Sequence, residues 1–167
     1  MAAEVEILVS APIWREASDA EDVVRRAIGA CEATLGDRGE SVEVSVLLCD
    51  DLEIRRLNSQ WRSKDSATNV LSFPAPSGPS PQLHLGDIAI AYETVAREAK
   101  DERKPFSAHL AHMAVHGYLH LSGYDHEDED EAEEMEQLER EILAELGVSD
   151  PYDAPAAYPP GKSQTRQ

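Results

Sequence analysis

A chain of 167 residues with 41% hydrophobic residues is long enough for one domain with a core, and too apolar for a disordered protein. No apolar run approaches the roughly 18 residues that a membrane span needs, and the N-terminus lacks the pattern of a signal peptide. The net charge of −18 argues against a polyanionic partner when it is taken alone.

The first half of the chain alternates between predicted strands and helices. Apolar residues alternate over 5–9, which predicts a strand, and helical spacing follows from an N-cap at Ser18 until Gly36 and Gly39 end the helix. The remaining elements are a strand at 42–48, a short helix capped by Asp50 or Asp51, a strand at 70–73 ended by Pro74, a strand at 85–91 and a helix at 92–100.

The second half is predicted to be mostly helical. A long helix is expected after Pro105, with Ser107 as a candidate cap and Gly123 as the stop signal. A last helix is predicted over 130–146 from its apolar stripe. These elements predict an α+β fold, in which helices pack on a single small mixed sheet.

Two ranges divide the chain in this prediction. Residues 1–149 form one predicted folded domain. Residues 150–167 contain four prolines and no periodic apolar pattern, which predicts a disordered tail.

Charged residues are distributed unevenly along the chain. The range 127–145 holds eleven acidic residues against one arginine, and we interpret this acidic stretch as the solvated face of the last helix. Basic residues gather at 55–64 and 97–104, so a local basic surface remains open and net charge does not decide the partner. Cys31 and Cys49 have no close spacing, which favours a reducing compartment and makes a cytoplasmic location the simplest interpretation.

The sequence HGYLHLSGYDH, from His116 to His126, carries the strongest chemical signal. His116 and His120 are four residues apart, so both imidazoles leave a predicted helix from the same face and can meet one ion. Gly123 then ends the helix and permits a reversal that brings back His126. Three protein ligands leave a position open for water, which is typical of a catalytic zinc site.

This spacing matches the metzincin pattern of zinc peptidases, with one difference. Gly117 replaces the glutamate that acts as general base in those enzymes, which disfavours a peptidase. His109 and His112 lie on or near the same helical face, and we interpret them as surface groups or as groups that support a ligand; His112 is the better candidate for support. Zinc, one ion per chain, is the predicted metal, but three imidazoles also accept other divalent transition metals.

Two further motifs accompany the histidines. KDSATNVLSFP, at 64–74, and LGDIAI, at 85–90, occur in the same order and spacing as in the YbeY family of bacterial endoribonucleases, and HGYLHLSGYDH resembles that family's signature. The resemblance covers about 40–146. Ala67 stands where the family usually has proline, which is expected to loosen a turn without changing the chemistry.

The resemblance implies a fold and an activity. It implies zincin-like metal geometry on a helix and the turn that follows it, with His116, His120 and His126 as ligands. It also implies that Arg62 is functionally important, and a guanidinium beside a phosphodiester has a clear role because it stabilises charge on the phosphate oxygens. The implied partners are single-stranded RNA, ribosomal RNA and the small ribosomal subunit, in ribosomal RNA processing and ribosome quality control.

Several alternatives remain open at this point. The chain could instead be a ribosome assembly factor with structural zinc, or another zinc hydrolase. Asp125 is a candidate general base, and the ribose 2′-hydroxyl is an alternative nucleophile to water. Asp87 could orient a metal-binding imidazole or cap the backbone. The sequence does not indicate an oligomeric state.

Overall fold

A computed structural model of the chain describes residues 4–36, 42–75 and 83–152. The described elements are β1 (Glu4–Val9), a short 3-10 helix (Pro12–Glu16), α1 (Ala20–Leu35), β2 (Val42–Cys49), α2 (Asp51–Arg62), β3 (Val70–Pro74), β4 (Leu83–Ala91), α3 (Tyr92–Asp101), α4 (Phe106–Leu121) and α5 (Glu129–Glu145). The predicted α+β class is confirmed, with one four-stranded mixed sheet in the described part of the chain.

The sheet has the strand order β1-β2-β4-β3. Strands β1, β2 and β4 are parallel, whereas β3 pairs with β4 in the antiparallel direction and forms one edge. Side chains alternate between the two faces, so β4 presents Ile88 and Ile90 to one core and Ala89 and Ala91 to another.

The larger core lies between one face of the sheet and the helices α1, α4 and α5. Helix α4 is its centre, because eleven of the sixteen residues of this helix are buried. The smaller core lies under α2 on the opposite face of the sheet. The long histidine-bearing helix is therefore held between layers, which fixes the positions of the side chains that it presents.

The caps of two helices differ from the prediction. Helix α1 begins after Asp19 and not after Ser18, and α4 begins after Pro105, with Ser107 inside its first turn. The Pro105 carbonyl accepts the backbone N–H groups of Ala108 and His109, so the helix starts without a side-chain cap. The predicted cap at Asp50 is confirmed, since its carboxylate accepts the N–H of Glu53 at 2.9 Å.

Residues 150–152, which follow the predicted domain boundary at 149, still contact α5. The Nε atom of Arg140, on α5, donates to Asp150 at 3.1 Å, and Tyr152 also contacts α5. The first three residues of the predicted tail are thus part of the folded structure. The rest of that tail, from 153 onward, lies outside the described residues, as do Gly39 and most of the proline-rich loop after β3. Within the described ranges, no helix has the length and apolarity needed to span a membrane.

We expect Leu110→Ala to lower the free energy of unfolding by about 2–5 kcal/mol, because it leaves a cavity at a fully buried position of α4. Urea denaturation followed by circular dichroism measures the change. Leu52→Ala is the matched control, since Leu52 is 67% exposed and its loss should change stability by no more than about 0.5 kcal/mol. Equal losses in the two variants would contradict the central position of α4.

Candidate metal centre

Three imidazoles converge at the end of α4. His116 and His120 lie one helical turn apart, and their Nε2 atoms are 3.1 Å from each other. Helix α4 ends at Leu121, and Gly123 reverses the chain with φ of +101°, a conformation that favours glycine. His126 returns after this turn, so that one ring nitrogen from each of the three histidines lies within 4.8 Å of the others.

This arrangement fits a divalent transition metal. Two nitrogens that each lie about 2.0–2.1 Å from one tetrahedral ion are separated by about 3.3–3.4 Å. The observed His116–His120 separation of 3.1 Å is close to that value. His116 and His120 are half-buried and His126 is exposed, so the site opens to solvent on one side. An ion held here would be accessible to a substrate.

A buried carboxylate from α5 orients one of the imidazoles. Glu139 has no exposed surface, and its Oε2 atom accepts a hydrogen bond from Nδ1 of His116 at 2.6 Å. Its Oε1 atom accepts one from Nε2 of His112 at 2.7 Å. Because a carboxylate only accepts, Nδ1 of His116 carries the proton and Nε2 keeps its lone pair for the metal.

Several donors keep Glu139 charged. Burial by itself raises the pKa of this carboxyl, but hydrogen bonds from His112 and His116 outweigh burial and hold the pKa below its usual range. The hydroxyl of Tyr152 donates to the same carboxylate. The carboxylate of Glu139, on α5, thus contacts residues of α4 and of the segment after α5. Both of its oxygens have hydrogen-bond partners.

His120 is prepared for metal binding by its surroundings. Burial, together with the neighbouring imidazoles of His116 and His126, lowers the pKa of His120. A lower pKa keeps this side chain neutral near pH 7. Only the neutral imidazole has a lone pair to offer an ion, so the cluster favours metal over protons.

Sequence reasoning missed Glu139. The acidic stretch was predicted to be a solvated helix face, and this is wrong at Glu139, which is fully buried. The available signal was periodicity: this residue follows Met135 by four positions and precedes Ile142 by three, and both of those residues are buried core. An acid on an apolar stripe is a candidate for a buried, paired carboxylate.

Asp87 and Asp125, the two carboxylates that the sequence suggested for the site, have other positions. Asp87 is exposed, and Glu139 is the carboxylate that contacts His116. The side chain of Asp125 accepts the backbone N–H of His126 at 2.7 Å, so it shapes the turn that returns the third imidazole. Its use as a general base stays a prediction.

Packing explains why glycine occupies position 117. A Cβ atom placed on Gly117 would lie 2.9 Å from Cγ2 of Ile88 and 3.2 Å from the hydroxyl oxygen of Ser72. Helix α4 therefore approaches β3 and β4 too closely for any larger residue. The departure from the metzincin pattern is a requirement of the helix–sheet contact, and a glutamate has no room there.

Arg62 lies at the edge of the sheet, next to the strand that touches α4. It is the last residue of α2, and it is exposed to solvent. Its Nη2 atom donates to the carbonyl of Ser72, on β3, and its guanidinium lies 5.5 Å from the ring centroid of Phe73. The hydroxyl of Ser72 in turn donates to the carbonyl of Gly117 at 3.0 Å. One residue thus connects Arg62 to the metal-binding segment of α4.

The two remaining histidines of α4 are both buried beside carboxylates. His112 shares Glu139 with His116, as its predicted supporting role requires. His109 is 3% exposed, and its Nε2 atom lies 2.8 Å from an oxygen of Glu98. The carboxylate of Glu98 also accepts from the amide of Asn69. The surface interpretation of His109 is therefore wrong.

The chain is similar to a family of known proteins. A family model described as Endoribonuclease YbeY matches residues 11–147. The chain belongs to the YbeY family. Endoribonuclease YbeY of Bradyrhizobium sp. (strain BTAi1) is 56% identical over 154 residues, which cover 88% of this chain and 90% of that protein. Endoribonuclease YbeY of Rhodopseudomonas palustris (strain BisA53) is 58% identical over 152 residues, which cover 88% of each.

A solved structure also resembles this YbeY chain. The solution structure of a Thermotoga maritima protein matches 89% of this chain and 99% of its own at 27% identity, with a TM-score of 0.47.

We expect Glu139→Gln to weaken metal binding by about 10- to 100-fold, because a neutral amide cannot accept from both His112 and His116 or strengthen the ligand. Competition with a chromogenic chelator measures the affinity, and circular dichroism checks the fold. Glu134→Gln, an exposed change on the same helix, serves as the control and should bind metal like the unaltered protein. Unchanged affinity in a folded Glu139→Gln protein would contradict the orienting role.

Proposed function

We propose that this YbeY-family protein is a zinc-dependent endoribonuclease that cuts single-stranded RNA, acting in the cytoplasm on ribosomal RNA of the small subunit and in ribosome quality control. The observation that carries the proposal is the convergence of His116, His120 and His126 beside a buried, charged carboxylate. Membership of a family named for endoribonuclease activity supports the choice of RNA as substrate.

The donor set supports a transition metal. Imidazole nitrogens suit zinc, nickel, copper, cobalt and iron, whereas magnesium and calcium prefer oxygen ligands. We propose one zinc ion per chain, bound by His116, His120 and His126. Among the described residues this cluster holds three protein ligands, whereas structural zinc sites are normally closed by four, so the arrangement favours catalysis over an assembly factor with structural zinc.

The reaction uses each residue of the site in a different way. His116, His120 and His126 would hold the zinc ion, and when bound it would supply Lewis-acid polarisation and an activated water near neutral pH. Glu139 holds His116 in the tautomer that presents Nε2. The exposed position of His126 leaves an approach for a phosphodiester.

Arg62 is proposed to stabilise the charge that develops on the phosphate. A guanidinium has five N–H donors and stays charged at every working pH, so it can meet two non-bridging oxygens at once. Its hydrogen bond to the Ser72 carbonyl holds it beside the strand that contacts α4. Loss of such a group is expected to reduce the rate by about a hundredfold or more.

A peptidase is the less favoured use of the same ion. That mechanism needs a glutamate next to the first histidine, and a Cβ at Gly117 would already lie 2.9 Å from Ile88. The general base in metzincins has no counterpart in this packing. Peptide cleavage that disappeared in a His120→Ala protein would restore the peptidase hypothesis.

We expect the purified protein to carry about one zinc ion per chain and to cut a labelled single-stranded RNA. Elemental analysis and gel electrophoresis on one sample measure both quantities. His116→Ala should lose metal and cleavage together, whereas Arg62→Ala should keep its metal and lose about a hundredfold or more of its rate. Cyclic phosphate ends on the products would identify the ribose 2′-hydroxyl as the nucleophile.

Different results would separate the hypotheses. A zinc-loaded protein that cuts no RNA would favour the assembly factor. A folded Arg62→Glu protein that supports ribosome maturation without cutting RNA would lead to the same conclusion. Cleavage that survives in His116→Ala would point to a contaminating nuclease.

A further inference from the structure

Trp61 is a large apolar side chain left open to solvent beside the proposed catalytic arginine. It is 64% exposed, although it lies on the core-facing stripe of α2, four residues after the half-buried Leu57 and seven after the fully buried Ile54. The apolar stripe of α2 therefore extends beyond the residues of this helix that pack in the core. The other tryptophan, Trp14, is 3% exposed and donates its indole N–H to the Cys49 carbonyl at 2.8 Å.

Cations follow this exposed ring along the chain. Arg62 follows it directly, and Lys64 is exposed two residues later, after Ser63 turns the chain with φ of +58°. Arg55 contributes less, because its guanidinium is paired with Asp65 at 2.7 Å. An exposed aromatic ring next to cations is the pattern with which proteins hold a single nucleic-acid strand.

The charge of the whole protein restricts where RNA can lie. Helix α5 and the turn before it carry eleven acidic residues against one arginine, so the polyanion is repelled from that side of the metal centre. The other neighbour of this segment of α4 is β3, where Arg62 contacts Ser72 and Ser72 contacts Gly117, the neighbour of His116. Trp61 precedes Arg62 directly, in the last turn of α2.

We propose that the indole of Trp61 stacks on a nucleobase of the single-stranded RNA substrate, while Arg62 and Lys64 hold the adjacent phosphates. The inference rests on the proposed endoribonuclease function and adds a binding site for one nucleotide outside the metal centre. It also accounts for a preference for single strands. A base within a duplex has both faces covered by its neighbours, whereas an unpaired base offers a free face to an aromatic ring.

Intrinsic fluorescence tests the proposal directly, because the chain has two tryptophans and Trp14 is packed against Tyr92 and Phe106 in the core. The zinc-loaded protein is titrated with a short 2′-O-methyl single strand and with the matching duplex. The single strand should quench the emission of the exposed indole, and the duplex should not. In Trp61→Phe, where Trp14 is the remaining tryptophan, the quenching should disappear.

Affinity and kinetics provide the second measurement. Trp61→Ala should bind the single strand about 5- to 150-fold more weakly, the range that loss of one stacked base produces, and this should raise KM more than it lowers kcat. Trp61→Phe keeps a ring and should recover most of the affinity. Leu52→Ala is the matched control: Leu52 is equally exposed on the same helix, half a turn round from Trp61, and its loss should change neither quantity.

The possible results distinguish this site from the function on which it rests. If the unaltered protein cuts RNA while Trp61→Ala binds and cuts equally well, the stacking site is overturned and the nuclease stands. If the protein neither binds nor cuts RNA, both proposals fail. Quenching by a ribosomal protein in place of RNA would assign the exposed indole to a protein contact and would also overturn the stacking site.

Discussion

The buried charge of Glu139 is the constraint around which the candidate metal centre is built. A carboxylate without exposed surface is tolerated only when donors surround it, and this one has His112, His116 and Tyr152. Those partners come from α4 and from the segment after α5, so one interaction holds both to α5. The same contacts set the tautomer of His116 and leave its Nε2 lone pair free for an ion.

The contact between α4 and the sheet is the second constraint. Gly117 lets the helix approach β3 and β4, and this brings Ser72 within hydrogen-bond distance of the helix backbone. Because Ser72 also contacts Arg62, the edge of the sheet and the three imidazoles form one connected unit. Close packing of helix on strand thus accounts for glycine at position 117, and Ser72 links that contact to Arg62.

The charged residues of α5 and those at the end of α2 differ in sign. Eleven of the acidic side chains belong to α5 and the turn before it, whereas Arg62, Lys64 and the exposed indole of Trp61 lie at or just after the end of α2. A net charge of −18 is therefore compatible with an RNA substrate, since ten of the eighteen excess negative charges lie in 127–145, outside the residues proposed to bind RNA. The net charge is a sum over the whole chain and does not give the local charge of either region.

Strand alternation, helical spacing and a glycine turn are local properties of the sequence. They predicted the α+β class, most element boundaries and the convergence of His116, His120 and His126. Sequence patterns misplaced the caps at Ser18 and Ser107, because neither of these helices starts with a side-chain cap. Only the tertiary structure revealed that Glu139 reaches His116, 23 residues away, and that Tyr152 belongs to the folded body. Such contacts depend on how separate helices pack, and no short-range pattern in the chain encodes them.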